Sequence, residues 1–212
     1  MFFYYIPLLL CAIGSFLKMP LYRKLFLFFI CFYLFFILAF KGSVDPDYSN
    51  YQFLLENSPT FDDGLAGINA FSRDYGFEIG LTLLNTTLNS LGVGLYFFYS
   101  FFAFIAVLCI YKISLKNNNS FLVFSLLYVM SFIGLWVQVR FGLACLLSLL
   151  ASLIYFEGRK KLSFFLFLSS LIFHNITFSL IIPVFIFLFF NKIGFRKDYI
   201  LYVLMLFSVF LF

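Results

Sequence analysis

Three groups of side chains in this sequence could do chemistry, and each stands beside an apolar run. Arg140 lies in WVQVRFGLACLLS, where one such run ends and the next begins. A permanent cation with five donors, set where membrane meets solvent, suits a phosphate or pyrophosphate held at headgroup depth. The competing reading is an arginine that snorkels to lipid headgroups. His174, the only histidine, lies in SSLIFHNITFSL between two further runs. Its imidazole could accept a proton near neutral pH, donate to an oxyanion, or simply close a turn on a neighbouring carbonyl.

The third group is an acidic stretch, residues 41–78, which holds Asp45, Asp47, Glu56, Asp62, Asp63, Asp74 and Glu78 of the chain's nine acids. Carboxylates here could serve as a general base toward a hydroxyl, as ligands of a divalent cation, or as solvated charge. Asp45, Asp47, Tyr48 and Tyr51 fall together in VDPDYSNYQF. Asp-Pro-Asp-Tyr favours a turn, and tyrosine faces suit sugars, so these four are candidate substrate contacts, with Asp47 also a candidate base. Asp62 and Asp63 read as a solvated turn before Gly64, and Arg73 and Asp74 as a local pair. Glu78 opens the next segment, where an acid also suits the helix dipole; it is a candidate substrate contact as well.

The elements that must position these residues are membrane helices. The chain has 212 residues, 64% hydrophobic and 11% charged, with a mean hydropathy of +1.07. Soluble domains are about half apolar and about a quarter charged. The apolar runs are continuous rather than alternating, which points to helices and away from a barrel. They fall at about 2–17, 25–40, 94–111, 121–137, 141–156, 162–173, 176–190 and 199–212. The first lacks the basic leader of a signal peptide and reads as a span. The last stops after 14 residues, as in a truncated chain or an abruptly ending helix.

Charge sets the orientation. Lys18, Arg23, Lys24, Lys112, Lys116, Arg159, Lys160, Lys161, Lys192, Arg196 and Lys197 occupy alternate loops, which the positive-inside rule makes cytoplasmic. Their scatter over short loops gives no stripe for nucleic acid. The N-terminus, the acidic loop, Arg140 and His174 then share the outer side. The expected architecture is all-α: a polytopic bundle of about eight spans forming one transmembrane domain over 1–212. Residues 41–78 form its long extracytoplasmic loop. Residues 79–93, apolar at Leu81, Leu84, Leu88 and Leu91 and polar at Asn85, Thr86 and Asn89, form an interfacial helix packed on the bundle.

Ala144, Ser148 and Ser152 recur every four residues, a small-residue stripe for close helix packing. Cys11, Cys31, Cys109 and Cys145 lie in apolar runs without metal-ligand spacing. No Walker loop, GxGxxG, HExxH, GxSxG or CxxC occurs, which argues against a soluble nucleotide-using enzyme.

The order of short motifs resembles a known family. Asp47-Tyr48-x-x-Tyr51 is followed by Tyr75-Gly76-Phe77-Glu78-x-Gly80, Leu91-Gly92, Arg140-x-Gly142-Leu143-Ala144, Arg159-Lys160-Lys161 and Phe173-His174. This sequence resembles EpsG-like and Wzy-like exopolysaccharide and O-antigen polymerases over roughly residues 45–185. It departs from them at Phe141 and Asn175, and in being short. The resemblance implies an inverting glycosyl transfer on the outer face of the cytoplasmic membrane, from a polyprenyl-pyrophosphate-linked oligosaccharide onto a lipid-linked repeat. Arg140 would hold the leaving pyrophosphate, His174 or Asp47 would take the proton, and Tyr48 and Tyr51 would contact sugar. No nucleotide sugar is needed, because the donor carries its leaving group, and no cofactor or metal site is expected. Partners would be membrane lipid, a flippase and a chain-length regulator. The competing expectations are an acyltransferase, a metal-dependent polyprenyl-phosphate-sugar glycosyltransferase and a non-enzymatic carrier of lipid-linked glycans. Few polar residues line the runs, which counts against a carrier.

Overall fold

The computed structural model describes residues 5–42, 45–116, 119–137 and 139–174. Among them every regular element is helical: α1 (Ile6–Ser15), α2 (Pro20–Ala39), α3 (Tyr48–Asn57), a 3-10 turn (Phe61–Asp63), α4 (Gly64–Tyr75), α5 (Ile79–Ser90), α6 (Leu95–Leu115), α7 (Ser120–Val137), α8 (Val139–Phe156) and α9 (Lys160–Phe173). Helices α1, α2, α6, α7, α8 and α9 coincide with the first six apolar runs. The spans expected at 176–190 and 199–212 lie outside the described residues. Helices α2, α6 and α8 are long and apolar enough to cross a membrane, and α1 is a shorter apolar helix.

Outward faces confirm what solvent these helices are built for. Phe28, Phe29, Phe32 and Phe36 of α2 and Tyr96, Phe97 and Phe104 of α6 are all exposed. Apolar surface on this scale is costly in water and costs nothing against lipid tails. Helix α6 sits centrally, packing on α2, α7 and α8 and touching α3 and α5. Phe98, Phe102, Ala106 and Ile110, spaced four apart, are its buried seam.

Among the described residues, α8 and α9 share the most extensive helix–helix contact. Their seam is small and hydroxylated: Ala144 and Ala151 are buried, Ser148 Oγ donates to Ser170 Oγ at 3.0 Å, and Ser163 Oγ donates to the Ala151 carbonyl at 2.7 Å. The expected stripe of Ala144 and Ser148 therefore does pack. Ser152 turns its hydroxyl back onto the Ser148 carbonyl of its own helix.

The acidic stretch is more structured than a loop. Tyr51, Leu54 and Leu55, at i, i+3 and i+4, give α3 a buried face, and α4 follows the turn at Phe61–Asp63. Asp63 accepts from the Thr60 backbone N–H at 2.7 Å, so the aspartates there do close a turn. Arg73 Nε and Asp74 pair at 3.3 Å in the open.

Basic and acidic ends separate along the bundle. Arg23, in the first turn of α2, lies 5.7 Å from the Phe121 ring in the first turn of α7, and Lys116 after α6 pairs with Glu157 after α8. At the other end, Lys41 after α2 meets Tyr99 at the start of α6, and Arg140 at the start of α8 meets Glu78. The short helices α3, α4 and α5 pack at this second end.

Gly80 sets how closely α5 approaches α9. A Cβ there would overlap the Ile172 side chain and come within 2.7 Å of the Ile172 carbonyl oxygen. Backbone cannot yield as a flexible side chain can. Gly80→Ala should thus cost about 1–3 kcal/mol of overpacking, which exceeds the about 1 kcal/mol gained in helix propensity. Thermal unfolding in detergent should show a lowered midpoint, whereas Leu83→Ala on the exposed face of α5 should leave it nearly unchanged.

Candidate functional site

The polar end of the bundle converges on one carboxylate. Glu78 is the residue before α5, with extended backbone, and Gly76 ahead of it takes left-handed φ (+67°) to turn the chain from α4. Arg140 is the second residue of α8. His174 follows the last residue of α9. Three separate helix ends thus meet. Arg140 Nη1 donates to Glu78 Oε2 at 2.6 Å, and His174 Nδ1 lies 3.7 Å from Glu78 Oε1. Each carboxylate oxygen faces one partner.

Aromatic rings wall the cluster. The Arg140 guanidinium lies 6.0 Å from the Tyr51 ring centroid and 5.4 Å from that of Phe77, and Phe141 sets its edge against His174 at 5.7 Å. Such rings hold a cation by their quadrupoles while excluding water. Burial pulls the His174 imidazole below its usual value; Glu78 works against that shift and Arg140 adds to it. At neutral pH the ring is therefore mostly neutral and able to accept a proton. Burial pushes the Tyr51 phenol up to about 12, with Arg140 opposing. Its hydroxyl lies next to the guanidinium but makes no well-formed hydrogen bond.

A second ion pair lies across Tyr51 and Tyr99. Lys41 Nζ and Asp45 Oδ2 are 2.7 Å apart, both essentially sealed from solvent, and the ammonium lies 5.3 Å from the Tyr99 ring centroid. Asp45 Oδ1 also accepts the Asp47 backbone N–H at 2.9 Å. Burial lowers the Lys41 ammonium from its ordinary value, and Asp45 and Asp47 hold it up. Tyr51 packs on Phe98 at 4.9 Å and on Tyr99 at 6.1 Å, and Tyr48 stacks on Tyr99 at 6.4 Å. One polar and aromatic seam therefore runs from Lys41 to His174.

Of the residues singled out from sequence, Arg140, His174, Glu78 and Tyr51 come together. Asp45 lies at the far end of the seam, committed to Lys41 and the local backbone. Asp47, half-buried at the start of α3, accepts from Asn50 Nδ2 at 3.4 Å and acts electrostatically on both Lys41 and Tyr51. Tyr48 is half-buried and Tyr51 fully buried, so in this conformation only Tyr48 offers part of a face. Sequence reasoning did not single out Lys41 or Tyr99, quoted Phe77 only within a motif, and named Glu78 as a candidate substrate contact. The spacing of Lys41 and Asp45, i and i+4, was the available signal for that pair.

A family model described as EpsG family matches residues 24–212. The chain belongs to the EpsG family. That range contains every residue of the seam, from Lys41 to His174. No curated protein and no solved structure matches this EpsG family chain. Membership links it to exopolysaccharide-related polymerases and to a membrane setting.

His174 can be titrated by itself, since the protein has no other histidine. Its NMR midpoint should lie below the ordinary histidine value of 6.5. Because Glu78 stabilises the imidazolium, Glu78→Gln should lower the midpoint further; because Arg140 opposes it, Arg140→Ala should raise it. A wild-type midpoint above 6.5, or a Glu78→Gln shift upward, would contradict this placement.

Proposed function

We propose that this EpsG family member is a polysaccharide polymerase, acting with its α3–α5 end at the outer face of the cytoplasmic membrane. It transfers a polyprenyl-pyrophosphate-linked glycan onto a lipid-linked repeat unit. The observation that supports this most is the meeting of Glu78, Arg140 and His174 at the apolar bundle's end, the depth at which a lipid pyrophosphate lies.

In this reading a hydroxyl oxygen of the acceptor sugar attacks the anomeric carbon of the donor glycan. The bond from that carbon to the pyrophosphate oxygen breaks, and the leaving group takes the electron pair. Arg140 lies where charge grows on that group, so its attraction is greater in the transition state than in the bound substrate. His174 takes the hydroxyl proton on Nε2, the nitrogen turned away from Glu78. Glu78 orients the ring through Nδ1 and stabilises the imidazolium as it forms. Tyr48, half-buried beside Tyr99, would contact sugar at the rim of the site. A flippase would deliver the lipid-linked repeats and a chain-length regulator would limit the product.

The test is genetic and then chemical. Deleting the gene in its host should collapse a long polysaccharide ladder to single repeats, rescued by the intact gene. Arg140→Ala, inserted at normal level, should fail to rescue, with transfer reduced about 100-fold or more. His174→Ala should slow transfer by about 10²–10⁴-fold. A normal ladder from the Arg140→Ala gene would remove the pyrophosphate role. A ladder of unchanged length that lacks a modification would point to an acyltransferase.

A further inference from the structure

Helix α5 is buried on more of its surface than an interfacial helix requires. Its exposed stripe carries Ile79 and Leu83, whereas Thr82, Asn85 and Thr86 are at most 1% exposed. Leu81 and Leu88 are buried as the apolar pattern requires, so the helix buries both its apolar face and its polar one. Thr82 Oγ1 turns back to the Glu78 carbonyl at 3.3 Å. Among the described residues, both polar atoms of the Asn85 amide and the Thr86 hydroxyl have no hydrogen-bond partner. An orphaned buried amide or hydroxyl is destabilising, and leucine or valine would fill the same space without that cost. Stability by itself therefore does not account for them.

Their place along the helix says what does. Glu78, Thr82, Asn85 and Asn89 succeed one another at steps of four, three and four, which sets them on one face of α5. That face begins at the Arg140 and His174 cluster and ends where Asn89 Nδ2 donates to the Ser58 carbonyl at 2.6 Å, beyond α3. Asn85 stands about 10 Å along the axis from Glu78. Side chains with paired donors and acceptors, leading away from the reacting centre, match a ligand rich in hydroxyl groups.

We propose that the inner face of α5 at Thr82, Asn85 and Thr86 is the saccharide subsite, which hydrogen-bonds hydroxyl groups of the lipid-linked oligosaccharide beside the reacting bond. This rests on the polymerase reading above and adds to it the part of the substrate that α5 recognises.

The full chain in lipid nanodiscs would be tested for binding to two probes, the polyprenyl-pyrophosphate-linked oligosaccharide of the host and bare polyprenyl pyrophosphate. Wild-type protein should bind the glycan-bearing probe more tightly. Asn85→Leu and, independently, the isosteric Thr86→Val should keep or raise the thermal midpoint and bind the bare lipid as wild type does. Each should weaken binding of the glycan-bearing probe by about tenfold or more. Leu83→Ala should change neither affinity. Lowered midpoints in both variants would mean that these groups have structural partners, and unchanged glycan affinity would mean that they do not touch sugar; either result overturns the subsite. Should the variants lose the glycan increment while intact protein forms no polymer, the subsite stands and the polymerase reading alone fails.

Discussion

The polar end of this protein depends on the Glu78 carboxylate being shared between a guanidinium and an imidazole. A charged carboxylate at the edge of an apolar bundle is tolerable only with a close cation, and Arg140 is equally in need of an anion. Neither helix end could settle there alone. The pair ties the start of α5 to the start of α8, and His174 brings in the end of α9. Gly80 permits this meeting by letting α5 rest on the backbone at Ile172.

Aromatic packing keeps this arrangement in register with the rest of the bundle. Tyr51 stands between the two ion pairs, with Arg140 on one side and Tyr99 on the other, and Tyr99 in turn lies beneath Lys41. The rings anchor α3 to α6 while shielding both pairs from water, which strengthens each interaction by lowering the local dielectric. The close α8–α9 seam serves the same end from below. With its alanines and serines in contact, it fixes Arg140 and His174 at one end of a rigid helical pair.

The acidic segment shows how a loop becomes a scaffold. Hydropathy alone marks residues 41–78 as outside the membrane, and their charges suggest a solvated surface. Yet Tyr51, Leu54 and Leu55 fold α3 down onto α6, and Asp45 is withdrawn from solvent altogether. The carboxylates left open, such as Asp62 and Asp74, are those with only local partners. Burial, not charge density, separates the acids near the site from those that merely keep the surface wet.

Much was legible in the sequence because membrane physics acts through composition and period. Continuous apolar runs determined the helices, the spacing of Ala144 and Ser148 marked a close seam, and Arg140 and His174 stood out as polar groups that lipid would not accept without reason. The residues that share a face on α5 could also be read from their spacing. Whether that face would be buried could not, since a helix with leucines on one side and Asn85 and Thr86 on another can leave its polar side in solvent or bury it as well. Only the tertiary structure decided that both faces go inward, that Glu78 meets Arg140 and His174, and that Lys41 pairs with Asp45 out of reach of water. Those outcomes depend on which helix ends meet in space, and a meeting between residues 78, 140 and 174 has no local signal in the chain.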